Sequence, residues 1–387
     1  MGIYSNSVSM MQFNVVGDVP RIQMFDWLSS SLTGRAFRPI DDNAEESSIG
    51  WVRTDAFDNA IFDVPGAFMR DNFVFFSYRH DQRKISGAVA KARVRKAEKE
   101  FLDKHPDLKR PPKREREEIK ERVKLGLLAK TIPTPSTVDI AWDTKTGVLT
   151  LFTSSQKVAE KFEELFVKSF EGLRLILIHP FNRSMTLLDD HGKELLASHN
   201  QAGSESALDT IKHNTWLGQE FLVWLLHGGL NGKTHYSVTA EGPGENGNHF
   251  SAWIDNRLQF QGGGESGVQK VVVSGTQDKF AEAKTALNMG KALTGATIYL
   301  ELNENQWKFN LDAERFIFKS FKCPSVQVEK ESVDAFSEQE SVFYERMYLL
   351  GQGLQMFNSL LLQFLACRLD ASWASIAKDI QDWLEGE

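Results

Sequence analysis

One stretch of this chain carries a concentrated excess of positive charge. Residues 83–130 contain 17 Lys or Arg and 8 Asp or Glu, so the stretch has a net charge of +9. The whole chain has 45 basic and 52 acidic residues, which leaves 28 basic and 44 acidic residues elsewhere, a net charge of −16. A basic segment attached to an acidic body indicates that this segment has a polyanionic partner.

The same stretch has the apolar pattern of a helical hairpin. Apolar residues recur every three or four positions in each half, at Ala90, Val94, Ala97 and Phe101 and again at Ile119, Val123 and Leu127. This spacing predicts two helices that pack as an antiparallel pair through one narrow apolar seam. The link between them, HPDLKRPPKR, contains three prolines, which favour a break between the helices.

Basic side chains occupy the remaining faces of both predicted helices. Spacings of three and four place Lys91, Arg95 and Lys99 on one stripe, and Lys113, Arg116, Lys120 and Lys124 on another. We predict contacts to the phosphates of nucleic acid. The candidate DNA-binding residues are Lys91, Arg93, Arg95, Lys96, Lys99, Lys109, Arg110, Lys113, Arg116 and Lys120. Alternatively, the hairpin is only a solvated arm, whose charge is partly neutralised by Glu98, Glu115, Glu118 and Glu121.

The rest of the chain alternates strand-like and helix-like patterns. Together with 41% hydrophobic residues, which suffice for a substantial core, they predict an α+β fold with mixed or antiparallel sheets, packed helices and the protruding basic hairpin. One of the predicted helices covers residues 278–293. We predict a central α+β domain (1–82 and 131–179), a helical-hairpin tip (83–130), a base α+β domain (180–320) and a C-terminal helical segment (321–387).

The C-terminal segment contains a run without charged residues. Residues 347–367 would be long enough to span a bilayer. Polar residues such as Gln352, Gln355 and Asn358 interrupt the run, which favours a buried helix over a membrane span. Two cysteines without metal-ligand spacing and an N-terminus without a secretory pattern predict a cytoplasmic protein.

No motif of catalysis or cofactor binding is recognisable. Gly242, Gly244 and Gly247 match GxGxxG, but they join two predicted strands, so no helix N-terminus is available for a pyrophosphate. Asp189 and Asp190 could contribute to a nuclease-type metal centre, although a solvated turn is the favoured interpretation. We therefore expect no catalytic residues, metal or cofactor.

The order of short motifs along nearly the whole chain resembles the RdgC family of recombination-associated proteins. The motifs are Gly50-Trp51-Val52, Arg83-Lys84-Ile85 at the start of the hairpin, Leu127-Leu128, Trp142-Asp143, Thr144 to Gly147, Leu217 to Leu222 with Trp224-Leu225, Gly290-Lys291 and the strand pair from Ala296 to Leu311. The later motifs resemble the longer variants of the family.

The resemblance implies a nucleoid-associated homodimer that forms a head-to-head ring around duplex DNA, binds with little sequence preference and restrains RecA. In that architecture the hairpin is the tip through which two subunits meet. The chain differs from the short members at Ile132, where they have an aromatic residue, and at Gly275 and Thr276, where they have a basic-polar pair. The residues predicted above therefore rest on charge alone.

Two other functions stay open at this point. A metal-dependent DNA exonuclease acting in recombination is an activity sometimes attributed to the family, and Asp189 and Asp190 are the adjacent carboxylates that it would use. Alternatively, the hairpin serves only protein association, in which case the chain would dimerise without retaining DNA.

Overall fold

The protein has an α+β fold, as the sequence predicts. The structure, a computed structural model, describes residues 2–43, 45–204, 206–264, 267–275, 280–326 and 335–386. The strands are β1 (Ser7–Val16), β2 (Ser47–Val52), β3 (Met69–Arg70), β4 (Phe73–Gln82), β5 (Thr134–Asp143), β6 (Val148–Leu151), β7 (Arg174–Leu177), β8 (His235–Ser237), β9 (His249–Gly264), β10 (Gly267–Ser274), β11 (Ala292–Leu302), β12 (Asn305–Asp312) and β13 (Ile317–Lys322). The helices are α1 (Met24–Gly34), α2 (Gly87–Lys104), α3 (Lys113–Leu128), α4 (Gln156–Ser169), α5 (Pro180–Leu187), α6 (Asp190–Ser198), α7 (Ala207–His213), α8 (Thr215–Leu230), α9 (Ala281–Asn288), α10 (Ala335–Arg368) and α11 (Trp373–Glu385).

The chain divides into two compact units. The hairpin unit consists of Gly17–Gly147 and Glu160–Arg174, and the C-terminal unit consists of Met1–Val16, Val148–Ala159 and Leu175–Glu387. Each unit contains its own run of paired antiparallel strands and its own aromatic core.

The hairpin unit is built on the antiparallel strand order β5-β4-β2, with β3 also paired to β4. Its core surrounds Trp51, which is fully buried. The Trp51 ring meets Phe76 edge-on at 5.1 Å between centroids and Phe162 at 6.0 Å. The Trp51 indole N–H donates to Ser169 Oγ at 2.8 Å, so the one polar atom of this buried ring is satisfied.

Strands β4 and β5 pair along their whole length, and the hairpin of α2 and α3 is inserted between them in sequence. Their register runs from Phe73 opposite Asp143 to Gln82 opposite Thr134. Because α2 begins five residues after the end of β4, the sheet fixes the position from which the hairpin projects.

The C-terminal unit has the antiparallel strand order β10-β9-β11-β12-β13-β1-β6. Helix α8 packs against β9 and β11, and α10 packs against α5 and α8. The rings of Phe309 and Phe321 stack at 4.8 Å, while Phe357 of α10 meets Phe318 edge-on at 5.0 Å. These aromatic contacts join the long helix to the sheet.

The uncharged run of residues 347–367 is a buried part of α10. Phe357, Leu361 and Phe364 are fully buried, and the polar side chains between them have hydrogen-bond partners. Ser359 Oγ accepts from the backbone N–H of Thr239 and of Ala240, each at 3.0 Å. Within the described ranges, no single helix is long and apolar enough to cross a membrane. Only residues 340–368 and Trp373–Glu385 taken together, which meet at a 101° bend, reach that length and composition.

The helix predicted over residues 278–293 is shorter than expected at its C-terminal end. It ends at Asn288, and Ala292 already begins β11. Gly290 has a φ of +75°, and its N–H donates to Leu287 O at 2.8 Å. A glycine in this left-handed conformation terminates a helix. Residues 278 and 279 lie outside the described residues, as does Thr276.

Candidate nucleic-acid interface

The basic hairpin consists of two helices that are separated by a proline-bearing link. Helix α2 ends at Lys104, one residue before the His105-Pro106 pair, because the residue that precedes a proline disfavours the helical conformation. Helix α3 begins directly after Pro112 and ends at Leu128. The hydroxyl of Thr131 donates to Leu127 O at 2.7 Å, which satisfies one terminal carbonyl of α3.

The predicted apolar seam lies between the two helices. Ile119 is 1% exposed. The other six seam residues, Ala90, Val94, Ala97, Phe101, Val123 and Leu127, are half-buried. No residue of α2 is fully buried. The arm is therefore a thin two-helix layer with a narrow apolar contact rather than a domain with its own core.

The predicted DNA-binding residues are spread over both helices and their link. Nine of the ten are exposed, and Arg116 is half-buried. Five of them lie on α2 (Lys91, Arg93, Arg95, Lys96 and Lys99), Lys109 and Arg110 lie in the link, and Lys113, Arg116 and Lys120 lie on α3. The structure thus leaves most of these cations accessible to a ligand.

Acidic residues neutralise only part of the hairpin charge. Arg116 Nε lies 3.6 Å from Glu98 Oε1, which is an ion pair between the two helices. Lys96 Nζ lies 3.9 Å from Glu100 Oε1 along α2. Arg114, which was not among the candidates, pairs with Glu118 at 3.0 Å. Exposed pairs of this kind contribute little to stability and yield readily to a stronger anion.

A groove of about 850 Å³ lies at the root of the hairpin, between α2, α3 and the end of β4. We call it the root groove. Three of the predicted residues, Lys91, Arg95 and Lys120, come together there with two further exposed cations, Lys84 and Lys124, and with the buried Arg83. The candidates Arg93, Lys96, Lys99, Lys109, Arg110, Lys113 and Arg116 do not line it.

Sequence periodicity accounts for only one of the two added cations. Lys124 continues the α3 stripe four residues beyond Lys120, so the helical spacing already contained it. Lys84 lies in the non-helical segment before α2, where no period applies. Only the path of the chain between β4 and α2 brings Lys84 to the groove.

Arg83 counts as a basic residue of the stretch, but its charge is not presented to solvent. The residue is 3% exposed, and Nη2 donates to Ile40 O at 2.8 Å and to Asp41 O at 3.1 Å. Nη1 donates to the carbonyl oxygens of Asn43 and Glu45. Arg83 therefore attaches the loop 40–46 to the root of the hairpin and belongs to the structure rather than to the interface.

His80, near the end of β4, adds no positive charge to the root near neutral pH. Burial lowers the pKa of the His80 imidazole below its ordinary value, and the neighbouring Lys161 and Lys84 act in the same direction against the attraction of Asp81. The charge of the root groove therefore comes from lysine and arginine.

The carboxylates considered for a nuclease site have structural partners. Asp189 is the N-cap of α6, and its Oδ1 accepts from the Gly192 N–H at 2.8 Å. Asp190 lies 3.0 Å from Lys193 Nζ. The predicted turn is thus the start of a helix. In the described parts of the chain, no group of three His, Cys, Asp or Glu residues is arranged to hold a metal ion.

Comparison with known proteins identifies one family. Residues 13–190 match a family model that is described as "Putative exonuclease, RdgC". The matched segment contains the entire hairpin and the motifs up to Gly147, whereas the motifs of residues 217–225 and 290–311 lie beyond it. No curated protein matches the chain. The family match confirms the resemblance that the sequence motifs indicate.

Proposed function

We propose, from the premise that the chain belongs through residues 13–190 to the RdgC family of recombination-associated proteins, that it binds duplex DNA without sequence preference. The hairpin of α2 and α3 is the part of the protein that contacts the phosphates. The bound protein limits the access of RecA to the duplex and so modulates homologous recombination.

The observation that carries this proposal is the exposure of the hairpin charge. Residues 83–130 have a net charge of +9, and nine of the ten candidate cations are exposed. Arg83 is buried, but it is one of 17 basic residues in the stretch. Phosphate contacts of this electrostatic kind need no recognition helix in a groove and impose no preferred base sequence.

The proposal extends to assembly and location. A homodimer that closes into a ring would hold the duplex topologically, so that modest phosphate contacts suffice for retention. Ile132, which follows α3, is 84% exposed, but a single exposed apolar side chain does not mark a subunit contact, so the resemblance to the RdgC family is what supports the dimer. We place such a dimer in the cytoplasm, associated with the nucleoid and without a membrane partner.

Salt-dependent binding of a labelled duplex tests the DNA-binding proposal. The test variant replaces Lys91, Arg95 and Lys99 of α2 by glutamine. If each of these residues neutralises one phosphate, the slope of log K against log salt should become shallower by about 3, because each contact contributes about 0.9. Near physiological salt, the affinity of this variant for duplex DNA should fall by the same factor on at least two duplexes of unrelated sequence.

A matched control removes the same number of charges from other exposed surfaces. Lys157 and Lys168 of α4 and Lys212 of α7 are exposed, and their replacement by glutamine should leave the slope unchanged. Equal losses of duplex affinity in the two triple variants would show that the net charge of the protein, rather than the hairpin, governs DNA binding. If the intact protein sediments as a dimer but retains no duplex, the hairpin serves association alone.

A metal-dependent exonuclease is the second candidate, because the description of the matched family names that activity. Incubation of end-labelled linear duplex with magnesium or manganese tests it directly. If Asp190 were a metal ligand, Asp190→Asn would abolish degradation, whereas Lys193→Gln, which removes its ion-pair partner, would not. Absence of degradation by the intact protein would remove this candidate.

A further inference from the structure

The root groove has a chemical character that phosphate binding does not explain. Four half-buried apolar residues, Ile85, Ala90, Val94 and Val123, line it together with the five exposed cations Lys84, Lys91, Arg95, Lys120 and Lys124. Its volume of about 850 Å³ is within the range of clefts that bind a drug-sized ligand.

Among the described residues, most of the groove cations have no acidic partner. Lys124 pairs with Glu46 at 2.6 Å. Lys84, Lys91, Arg95 and Lys120 form no ion pair with any residue that the structure describes. Four cations without acidic partners next to a single acidic residue, Glu46, favour an anionic occupant.

The apolar lining distinguishes between two kinds of anionic occupant. A DNA backbone is hydrophilic, so it would gain little from covering Ile85, Val94 and Val123. A peptide that carries both carboxylates and apolar side chains satisfies both parts of the groove, since its apolar side chains remove those residues from water while its carboxylates meet the lysines.

We propose that the root groove binds an acidic peptide segment of a partner protein that anchors itself with apolar side chains. The proposal goes beyond DNA binding, although it uses Lys91, Arg95 and Lys120, which the duplex would also contact. Peptide and duplex then compete for the root of the hairpin, and a partner protein could displace the arm from DNA without touching its outer half.

Fluorescence polarisation of the full chain with a labelled octapeptide tests the proposal. The probe has four aspartates followed by alternating leucine and phenylalanine, and a second probe has serine in place of the leucines and phenylalanines. We expect the first probe to bind more tightly. Ile85→Ser should weaken its binding about tenfold, since the loss of one aliphatic contact is worth about 1.5 kcal/mol.

Val89→Ser is the matched control, because Val89 lies on α2 outside the groove and is 47% exposed. It should leave peptide binding unchanged. Lys84→Glu provides a second test that leaves the apolar packing intact. It should weaken the binding of the acidic-apolar probe. Urea unfolding of each variant verifies that the hairpin unit remains folded.

Duplex binding of the same variants separates this proposal from the proposed function. Ile85→Ser alters no charge and should leave duplex binding unchanged. If the acidic-apolar probe fails to bind, binds no better than the serine probe or is insensitive to Ile85→Ser, the peptide proposal is overturned while duplex binding still stands. If the peptide binds as expected but no duplex does, DNA binding fails and the groove proposal remains.

Discussion

The guanidinium of Arg83 donates to the carbonyl oxygen of Ile40 at 2.8 Å, and its two terminal nitrogens, Nη1 and Nη2, also donate to three further carbonyls of the loop 40–46. A guanidinium has five N–H donors in a planar fork, whereas a lysine ammonium has three donors at a single nitrogen and cannot reach acceptors spread as widely. This side chain therefore connects the end of β4, the loop and the start of the hairpin.

Replacement of Arg83 by lysine should destabilise the hairpin unit by about 2–4 kcal/mol, because the buried bond to Ile40 O and the partly buried bonds to the other carbonyl oxygens lose their donors. Urea unfolding followed by tryptophan fluorescence measures the loss. Lys84→Gln, one residue further along and exposed, should change the free energy of unfolding by less than about 0.5 kcal/mol. Equal effects of the two substitutions would contradict the anchoring role of Arg83.

Replacement of Ile119 by alanine should loosen the hairpin by about 2–4 kcal/mol, because this residue is the most buried of the seam. Since the arm has little other apolar contact, the loss should appear as faster amide exchange in residues 87–128 rather than throughout the protein. Leu125→Ala, on the same helix at a residue that is 49% exposed, is the control and should leave exchange unchanged.

Gly242→Ala should destabilise the C-terminal unit by about 1–3 kcal/mol through overpacking. A Cβ at this position would lie 2.6 Å from Gln355 Cδ. Gln355 cannot easily move, because its Nε2 donates to Ala240 O at 2.9 Å and its Oε1 accepts from the Gly244 N–H at 2.6 Å.

Gly229→Ala in α8 is the matched control for that substitution. Outside its own helical turn, no described atom would lie within 4 Å of a Cβ at this position, and alanine is favoured over glycine in a helix by about 1 kcal/mol. Thermal unfolding of the two variants should shift in opposite directions. A Gly242→Ala protein as stable as the parent would show that Gln355 yields without cost.

Acid should destabilise the protein partly through His179. Burial lowers the pKa of His179 from 6.5 to about 4, so below pH 6.5 the unfolded chain takes up a proton that the folded chain refuses. The stability that depends on the neutral His179 imidazole is fully present above pH 6.5 and decreases as the pH falls towards 4. The full loss amounts to about 3 kcal/mol of the free energy of unfolding.

The free energy of unfolding measured between pH 4 and 7 tests this prediction. Because carboxylates also titrate in acid, the difference between the parent and His179→Gln is the relevant quantity, and the variant should show the shallower dependence. His191→Gln, at an exposed residue, should follow the parent. Parallel curves for the parent and His179→Gln would be incompatible with a neutral buried imidazole.

The helical hairpin was predictable from the sequence because the features that specify it lie within the stretch itself. Apolar spacing and prolines suffice to locate α2 and α3, and the seam residue Ile119 is buried as predicted. The distinction between Arg83, whose side chain is buried, and Lys84, whose side chain is exposed in the groove, was not predictable. It depends on the loop 40–46, whose residues are distant in sequence.

The Gly242 loop of the C-terminal unit also makes a contact that the sequence pattern does not predict. Its glycines join two strands, β8 and β9, as the sequence predicts on local grounds. The close approach of Gly242 and Gly244 to Gln355 involves a helix more than a hundred residues away, and no periodic pattern encodes that contact. Long-range packing rather than local propensity therefore decides which glycine tolerates a side chain.

The pairing of Gln82 with Thr134 has a consequence for the diversification of this protein. The hairpin leaves the sheet at the end of β4 and returns to it at the start of β5. These two strands are hydrogen-bonded to each other, so the hairpin is an insertion that leaves their pairing intact. Turns can be added to or removed from α2 and α3 in matching numbers without a change of register in the sheet beneath. The reach of the arm is therefore free to vary independently of the body that carries it.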